Sequence, residues 1–322
     1  MKICIVGAGA TGGYLGFKLI NAGFDVSLVA RGAHLKAMKN KGLSIIENNK
    51  EFSCFPKCSE SMSDLGKMDY IFITLKAYSI PGLVNEISTM FKENTAVITA
   101  YNGIPWWYFY NIEGSFKNYR IKCIDPNNIQ WNTITPQRII GCVVYPATEI
   151  IEPGVIKHIE GNRFSLGEPG GMQTERILIL GKTLVKAGIK APIRSNLREE
   201  IWTKLIGNLA FNPLSVISGK TLDILASEHE YRAIAYNAMQ EANLIINQLG
   251  MKLKISIDQR IEGAAKVGAH KTSMLQDYEK GKEVELDSLV VSIKEIGNLL
   301  GIKTPTIDMI LYEVEKKISK NN

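Results

Sequence analysis

Two groups of residues in this 322-residue chain have types and spacings suited to chemistry. The first is the run Gly7-Ala8-Gly9-Ala10-Thr11-Gly12, which follows the apolar stretch "KICIV" and opens a helical pattern. In a G-x-G-x-x-G turn the first glycine permits the tight turn and the second lets backbone approach a pyrophosphate. The third lets helix and strand pack closely. Gly7, Gly9 and Gly12 fit those roles, with free N–H groups and the helix dipole facing phosphates, so the stretch predicts a dinucleotide site. A glycine-rich strand-to-helix turn without a ligand is the plainer alternative. The next strand-like run, "DVSLVA", is followed by Arg31, where an NAD site would carry Asp or Glu for the ribose hydroxyl. A guanidinium donates to a 2′-phosphate that an acid would repel, so Arg31 predicts NADP; a solvated loop arginine is the other reading.

The second group is Lys204, Asn208 and Asn212, spaced i, i+4 and i+8 within "REEIWTKLIGNLAFNPLSVI". Ile201, Trp202, Leu205, Ile206, Leu209 and Phe211 cover much of the remaining helix surface, which predicts burial. Buried amides and ammonium groups need partners. Those partners are either a ligand or, equally, neighbouring backbone for the asparagines and bulk water for a snorkelling Lys204. Pro213 lacks an N–H for the Leu209 carbonyl, so the helix is expected to end or kink near Asn212.

Two kinds of secondary structure surround these groups in the sequence pattern. Through the first half, strand-like runs ("KICIV", "DVSLVA", "DYIFITLKA", "TAVITAYNGI") alternate with helical spacing, as in "TGGYLGFKLINAG". "GLSIIENNKEFSCF" reads as a hairpin turning at Asn48-Asn49, and "RIIGCVVYPA", "GVIKHIEG" and "RFSLGE" add further strands. The order predicts an α/β class, a parallel Rossmann-type sheet with an antiparallel extension, over residues 1–195. From residue 196 to 322 the periodicity is helical throughout, and Thr304-Pro305 makes an N-cap and N1 pair for the last helix.

Composition narrows the function classes. Hydrophobic residues at 45% and charged ones at 22% suit a soluble globular protein. The net charge of +6 is spread without runs of one sign, which favours anionic small molecules over nucleic acid. The odd set of five cysteines has no C-x-x-C pair and no zinc spacing, so reduced thiols, a cytoplasmic setting and no metal are expected. Neither a signal peptide nor a membrane span is expected, since no apolar run nears ~20 residues.

Taken together, "GAGATG", "TLKAY", "YNG", "REEIWTKLIGNLAFNPLS", "TSMLQD" and "EVELD", in that order, resemble the ketopantoate reductase (2-dehydropantoate 2-reductase) family over nearly the whole chain. The resemblance implies an N-terminal Rossmann domain binding NADPH and a helical C-terminal substrate and catalytic domain. It implies that Lys204 protonates the substrate carbonyl oxygen and that Glu285 completes the site beside the cofactor. Asn102, Asn208, Asn212 and Ser273 match substrate-binding positions. Gly7 to Gly12 (with Ala8, Ala10 and Thr11), Arg31, Lys76, Asn102, Ala147 and Glu285 match positions that touch NADP. The implied reaction reduces 2-dehydropantoate to pantoate for pantothenate and coenzyme A. Hydride reaching the 2-oxo carbon leaves negative charge on oxygen, and an ammonium aimed there supplies the proton.

Three departures bear on the substrate. The family's Asn-Gly after the E-x-D is absent from "ELDSLVVSI", a further asparagine has no match in "ISGKTLDIL", and a long segment follows Asn102. That segment carries Trp106, Trp107, Tyr108, Phe109 and Tyr110, which are expected to narrow the substrate cleft, cover a subunit interface or pack within the first domain. A homodimer stays open. The rivals are a reductase of another 2-oxo acid and a non-catalytic NADPH-binding regulator; retention of Lys204 and Glu285 speaks against the regulator. An NAD-linked hydroxyacyl-CoA dehydrogenase is disfavoured by Arg31 and by the contexts of His34, His158, His229 and His270.

Overall fold

The computed structural model describes residues 1–320, which cluster into two compact units. The first comprises Met1–Tyr101, Trp106–Arg120 and Asp125–Leu197; the second comprises Asn102–Pro105, Ile121–Ile124 and the chain from Arg198 onward.

In the first unit, β1 (Lys2–Val6), α1 (Ala10–Asn21) and β2 (Asp25–Val29) form the opening βαβ, followed by α2 (Gly32–Lys41). The expected hairpin is β3 (Leu43–Glu47) and β4 (Lys50–Cys54). Asn48 and Asn49, both left-handed at φ 52° and 59°, make the two-residue turn that matches strand twist. Then come β5 (Lys57–Ser59), β6 (Met68–Ile73), α3 (Val84–Ser88) and β7 (Phe91–Thr99). After α4 (Ile129–Thr133) the chain adds β8 (Ile139–Val144), β9 (Ala147–Glu152), β10 (Val155–Glu160), β11 (Phe164–Gly167) and α5 (Glu175–Lys186).

The main sheet runs β11-β8-β7-β6-β1-β2-β5, parallel except for the antiparallel edge strand β11. Its order reverses between β1 and β6, and in such sheets ligands sit at the carboxyl ends of strands flanking that switch. The other strands do not extend this sheet as expected. They form a second one, β4-β3-β10-β9, which lies on α1, where Ile156 presses so closely on Gly13 that a Cβ there would meet its Cδ1 at 2.4 Å. The core is apolar and buried, built on Ile3, Ile5, Leu15, Leu28, Phe72 and Ile98.

Of the three readings of the aromatic segment, packing within the first domain is the one that its burial matches. Trp106, Trp107, Tyr108 and Phe109 are each at most 1% exposed, so they do not offer a face to another subunit. The segment is a series of turns rather than one regular element, which lets successive side chains diverge into one local core. Trp107 lies on Gly141, whose missing Cβ makes room for its ring, and its Nε1 donates to Thr99 Oγ1 at 2.9 Å. Trp106 and Tyr110 both meet Trp131 edge-on at 5.9 Å. Trp107→Ala is therefore expected to cost about 3–5 kcal/mol in denaturant unfolding, with the ranking of substrates unchanged.

The second unit is helical: α6 (Leu197–Ser218), α7 (Leu222–Ser227), α8 (His229–Gln248), α9 (Ile257–Lys266), α10 (Ser273–Glu279), a π-turn (Asp287–Val291), α11 (Ser292–Leu300) and α12 (Pro305–Ser319). Helix α6 does not end at Asn212; it continues past Pro213 to Ser218. An interior proline costs about 3 kcal/mol. Burial of Leu209, Ala210, Phe211, Leu214 and Val216 on both sides of it offsets that cost. Helix α12 starts where expected, with Thr304 as its N-cap and Pro305 as its first residue. Thr304 holds the N-cap position without a side-chain bond, and Glu241 of α8 instead accepts the N–H groups of Thr306 and Ile307 at 2.7 and 2.9 Å. Among the described residues no helix is long and apolar enough to cross a membrane.

Candidate active site

The glycine loop sits where β1 ends, beside the end of β6 at the switch in strand order. Each glycine has its own physical reason. Gly7 takes φ +99°, and a Cβ there would meet the Leu75 side chain at 2.7 Å. Gly12 packs onto the strand: its Cβ would lie 2.3 Å from the Gly7 carbonyl oxygen and 2.4 Å from Thr74 Oγ1. Gly9 faces open space, with nothing nearer its would-be Cβ than the Gly7 carbonyl oxygen at 4.0 Å. Turn, packing and approach are thus divided among the three as the fingerprint requires.

The amides differ from expectation. Gly7 and Ala8 donate to the Val29 carbonyl at 3.1 and 2.8 Å, and Gly9 donates to the Gly7 carbonyl at 2.7 Å. The donors left to an anion belong instead to Ala10, Thr11 and Gly12, the first turn of α1, which has no side-chain cap and no acidic residue. Sequence inspection misses Thr74, whose hydroxyl donates to the Gly7 carbonyl at 2.8 Å and fixes the turn from below. Its position at the end of β6 was the available signal.

Arg31 is exposed at the end of β2, as the N-cap residue of α2. One turn on, His34 Nδ1 accepts the Gly154 N–H at 3.0 Å, and burial lowers its pKa although the Ala8 backbone opposes this. Ala147 opens β9, and its neighbour Thr148 brings a hydroxyl to 3.5 Å from that of Thr11. Lys76 follows β6, two residues beyond Thr74, and is half-buried. The structure therefore gathers Gly7 to Gly12 and Ala147 around the start of α1, with Arg31 and Lys76 at the ends of the flanking strands.

In the second unit the polar row on α6 is real. Lys204 and Asn208 are half-buried and Asn212 is buried. Lys204 Nζ donates to Asn102 Oδ1 at 2.7 Å, so residues 102 apart in sequence meet directly. Lys204 is not a snorkelling lysine with only water for company. Ser273 is exposed at the first turn of α10. That helix is tied to α6 through Thr272, whose hydroxyl lies 2.5 Å from that of Ser215, one turn beyond Asn212. Glu285 is buried two residues before the π-turn. Sequence inspection misses Thr272 and also Arg260, whose guanidinium occupies the space left by Gly207, within 2.6 Å of a would-be Cβ. Among the described residues no group of three or more His, Cys, Asp and Glu is placed to hold a metal.

The pattern described as Ketopantoate reductase PanE/ApbA matches residues 3–171, and that of its C-terminal part matches residues 196–317. The chain belongs to the ketopantoate reductase family. Within that family it is 47% identical to a 2-dehydropantoate 2-reductase of Mesorhizobium japonicum, over 98% of this chain and 97% of the relative. A crystal structure of a provisionally named ketopantoate reductase from Ralstonia solanacearum superposes with TM-score 0.93 at 34% identity, covering 99% and 98% of the two chains. A D-mandelate dehydrogenase bound to NADH and anilino(oxo)acetate shares the fold, with TM-score 0.85, 22% identity and 99% of each chain covered.

Proposed function

We propose that this ketopantoate reductase family member reduces 2-dehydropantoate to pantoate with NADPH, in the cytoplasm, on the route to pantothenate and coenzyme A. Residues 1–195 bind the dinucleotide and residues 196–322 carry substrate and the proton donor. The observation that carries the reading is the Lys204–Asn102 hydrogen bond, on a helix whose Trp202, Leu205, Ile206 and Leu209 are buried. An ammonium is kept in a half-buried place and aimed by an amide oxygen.

The donor set fits a dinucleotide: uncapped first-turn amides of α1, open space at Gly9 and an exposed guanidinium at Arg31. Gly7 to Gly12, Lys76, Asn102, Ala147 and Glu285 would hold it, with Arg31 on the 2′-phosphate. When bound, its nicotinamide supplies the hydride. Lys204 offsets the charge that develops on the substrate oxygen and delivers the proton. Ser273, Asn208 and Asn212 donate to the 2-oxo acid carboxylate, and Glu285 orients substrate or the lysine.

A second reading, reduction of a different 2-oxo acid, is favoured by the absence of the family's Asn-Gly from the stretch "ELDSLVVSI" that follows the E-x-D. NADPH oxidation across a panel of 2-oxo acids decides between them: 2-dehydropantoate should give the highest kcat/KM, and a bulkier acid ahead of it overturns the first reading. Arg31→Ala should weaken NADPH by about 1.5–3 kcal/mol and leave NADH nearly unchanged. Equal affinities for the two cofactors in the unmodified enzyme would remove Arg31 from cofactor choice.

A further inference from the structure

The π-turn at Asp287–Val291 has a specific local effect. The Ser292 N–H reaches the carbonyl of Asp287, five residues back, rather than that of Ser288. An inserted residue of this kind turns one carbonyl away from its α-helical partner, and such bulges recur at functional sites. Here the carbonyl is Ser288's, and it accepts the Ile104 N–H at 2.9 Å, with the Ser292 hydroxyl adding a bond at 3.0 Å. Gly103 lies flat on the same residue. It takes φ +90°, and a Cβ there would lie 2.3 Å from the Ser288 carbonyl oxygen and 2.6 Å from its Cβ. The residue immediately before Gly103 is Asn102, which holds Lys204.

The geometry points to Ser288 and Gly103 as positioning residues: the π-turn seats the Asn102–Pro105 loop and thereby sets the Asn102 amide against Lys204. This rests on the proposed roles of Asn102 and Lys204. Neither positioning residue need touch substrate or cofactor. Only glycine fits at 103, since any other residue combines a disfavoured positive φ with overlap against backbone that cannot yield. A side-chain amide displaced by even an ångström loses its bond to the ammonium, because hydrogen bonds weaken steeply with distance and angle.

A double-mutant cycle on the full-length enzyme tests this, with kcat at saturating 2-oxo acid and NADPH as the readout. Asn102→Ala and Gly103→Ala should each lower kcat tenfold or more. The double variant should fall within about twofold of Asn102→Ala, because residues acting through one contact are not additive. A merely structural glycine would multiply its loss in either background. Ser288→Val presses on the loop from the opposite side and should give the same non-additive pattern, which keeps the test decisive if Gly103→Ala does not fold. Gly103→Ala and Ser288→Val that fold and turn over within twofold of the parent overturn the seat, as does full multiplication in the double variants. A fully active Asn102→Ala overturns the assignment of Asn102 itself, and the seat with it.

Discussion

Lys204→Ala is expected to lower kcat by roughly 10²-fold or more, the usual effect of removing a general acid, with NADPH affinity largely kept. The expectation follows from where the lysine is held. Trp202, Leu205 and Ile206 are buried around it on α6, and Asn102 Oδ1 accepts its proton at 2.7 Å. Truncation removes the only ammonium on that face of the helix and leaves the Asn102 oxygen facing a gap. Single-turnover NADPH oxidation separates the chemical step from product release, and cofactor fluorescence gives affinity independently. Normal turnover by the variant would exclude Lys204 from the reaction.

Gly12→Ala is the second large effect, and it arises from packing. The added methyl would overlap the Gly7 carbonyl oxygen and Thr74 Oγ1, so either α1 or the turn after β1 must shift. Overpacking of this kind costs about 1–3 kcal/mol, and the shifted turn no longer presents the first-turn amides to a pyrophosphate. We expect a lowered Tm together with at least a tenfold loss of NADPH affinity. Gly9→Ala supplies the contrast. Its φ of −74° suits alanine, and its methyl meets nothing in the protein. It should therefore keep its Tm and lose NADPH affinity only because the methyl occupies the path of the phosphates. If the two variants change Tm equally, the division of labour among the glycines is wrong.

These glycines were legible because their constraints are local: one turn, one helix start and one strand pair dictate all three. The Asn48-Asn49 hairpin was legible for the same reason, since two left-handed asparagines suffice to reverse the chain. The row of Lys204, Asn208 and Asn212 could be read from periodicity, but not the identity of the lysine's partner, which comes from a loop 102 residues away. Distance along the chain also hid the Glu241 cap on α12 and the burial that carries α6 through Pro213. The choice among the three readings of the aromatic cluster could not be made from sequence, because its partners Gly141 and Trp131 are recognisable only after folding. The π-turn left no sequence signal, as nothing in "DSLVV" marks one extra residue per turn.

The parallel pairing of β3 with β10 bears on how the chain is made. Ser44 meets Val155 in register, and its N–H donates to the Gly154 carbonyl at 2.8 Å. The β3–β4 hairpin leaves the ribosome more than a hundred residues before that strand exists, and hairpins form in microseconds whereas synthesis adds about 5–20 residues per second. For several seconds β3 presents an unpaired edge and the apolar face of Ile45, which is fully buried once β10 arrives. Open edges of this kind pair with other chains. Until Val155 emerges the chain therefore carries an edge open to misassembly, which a chaperone could shield in that interval.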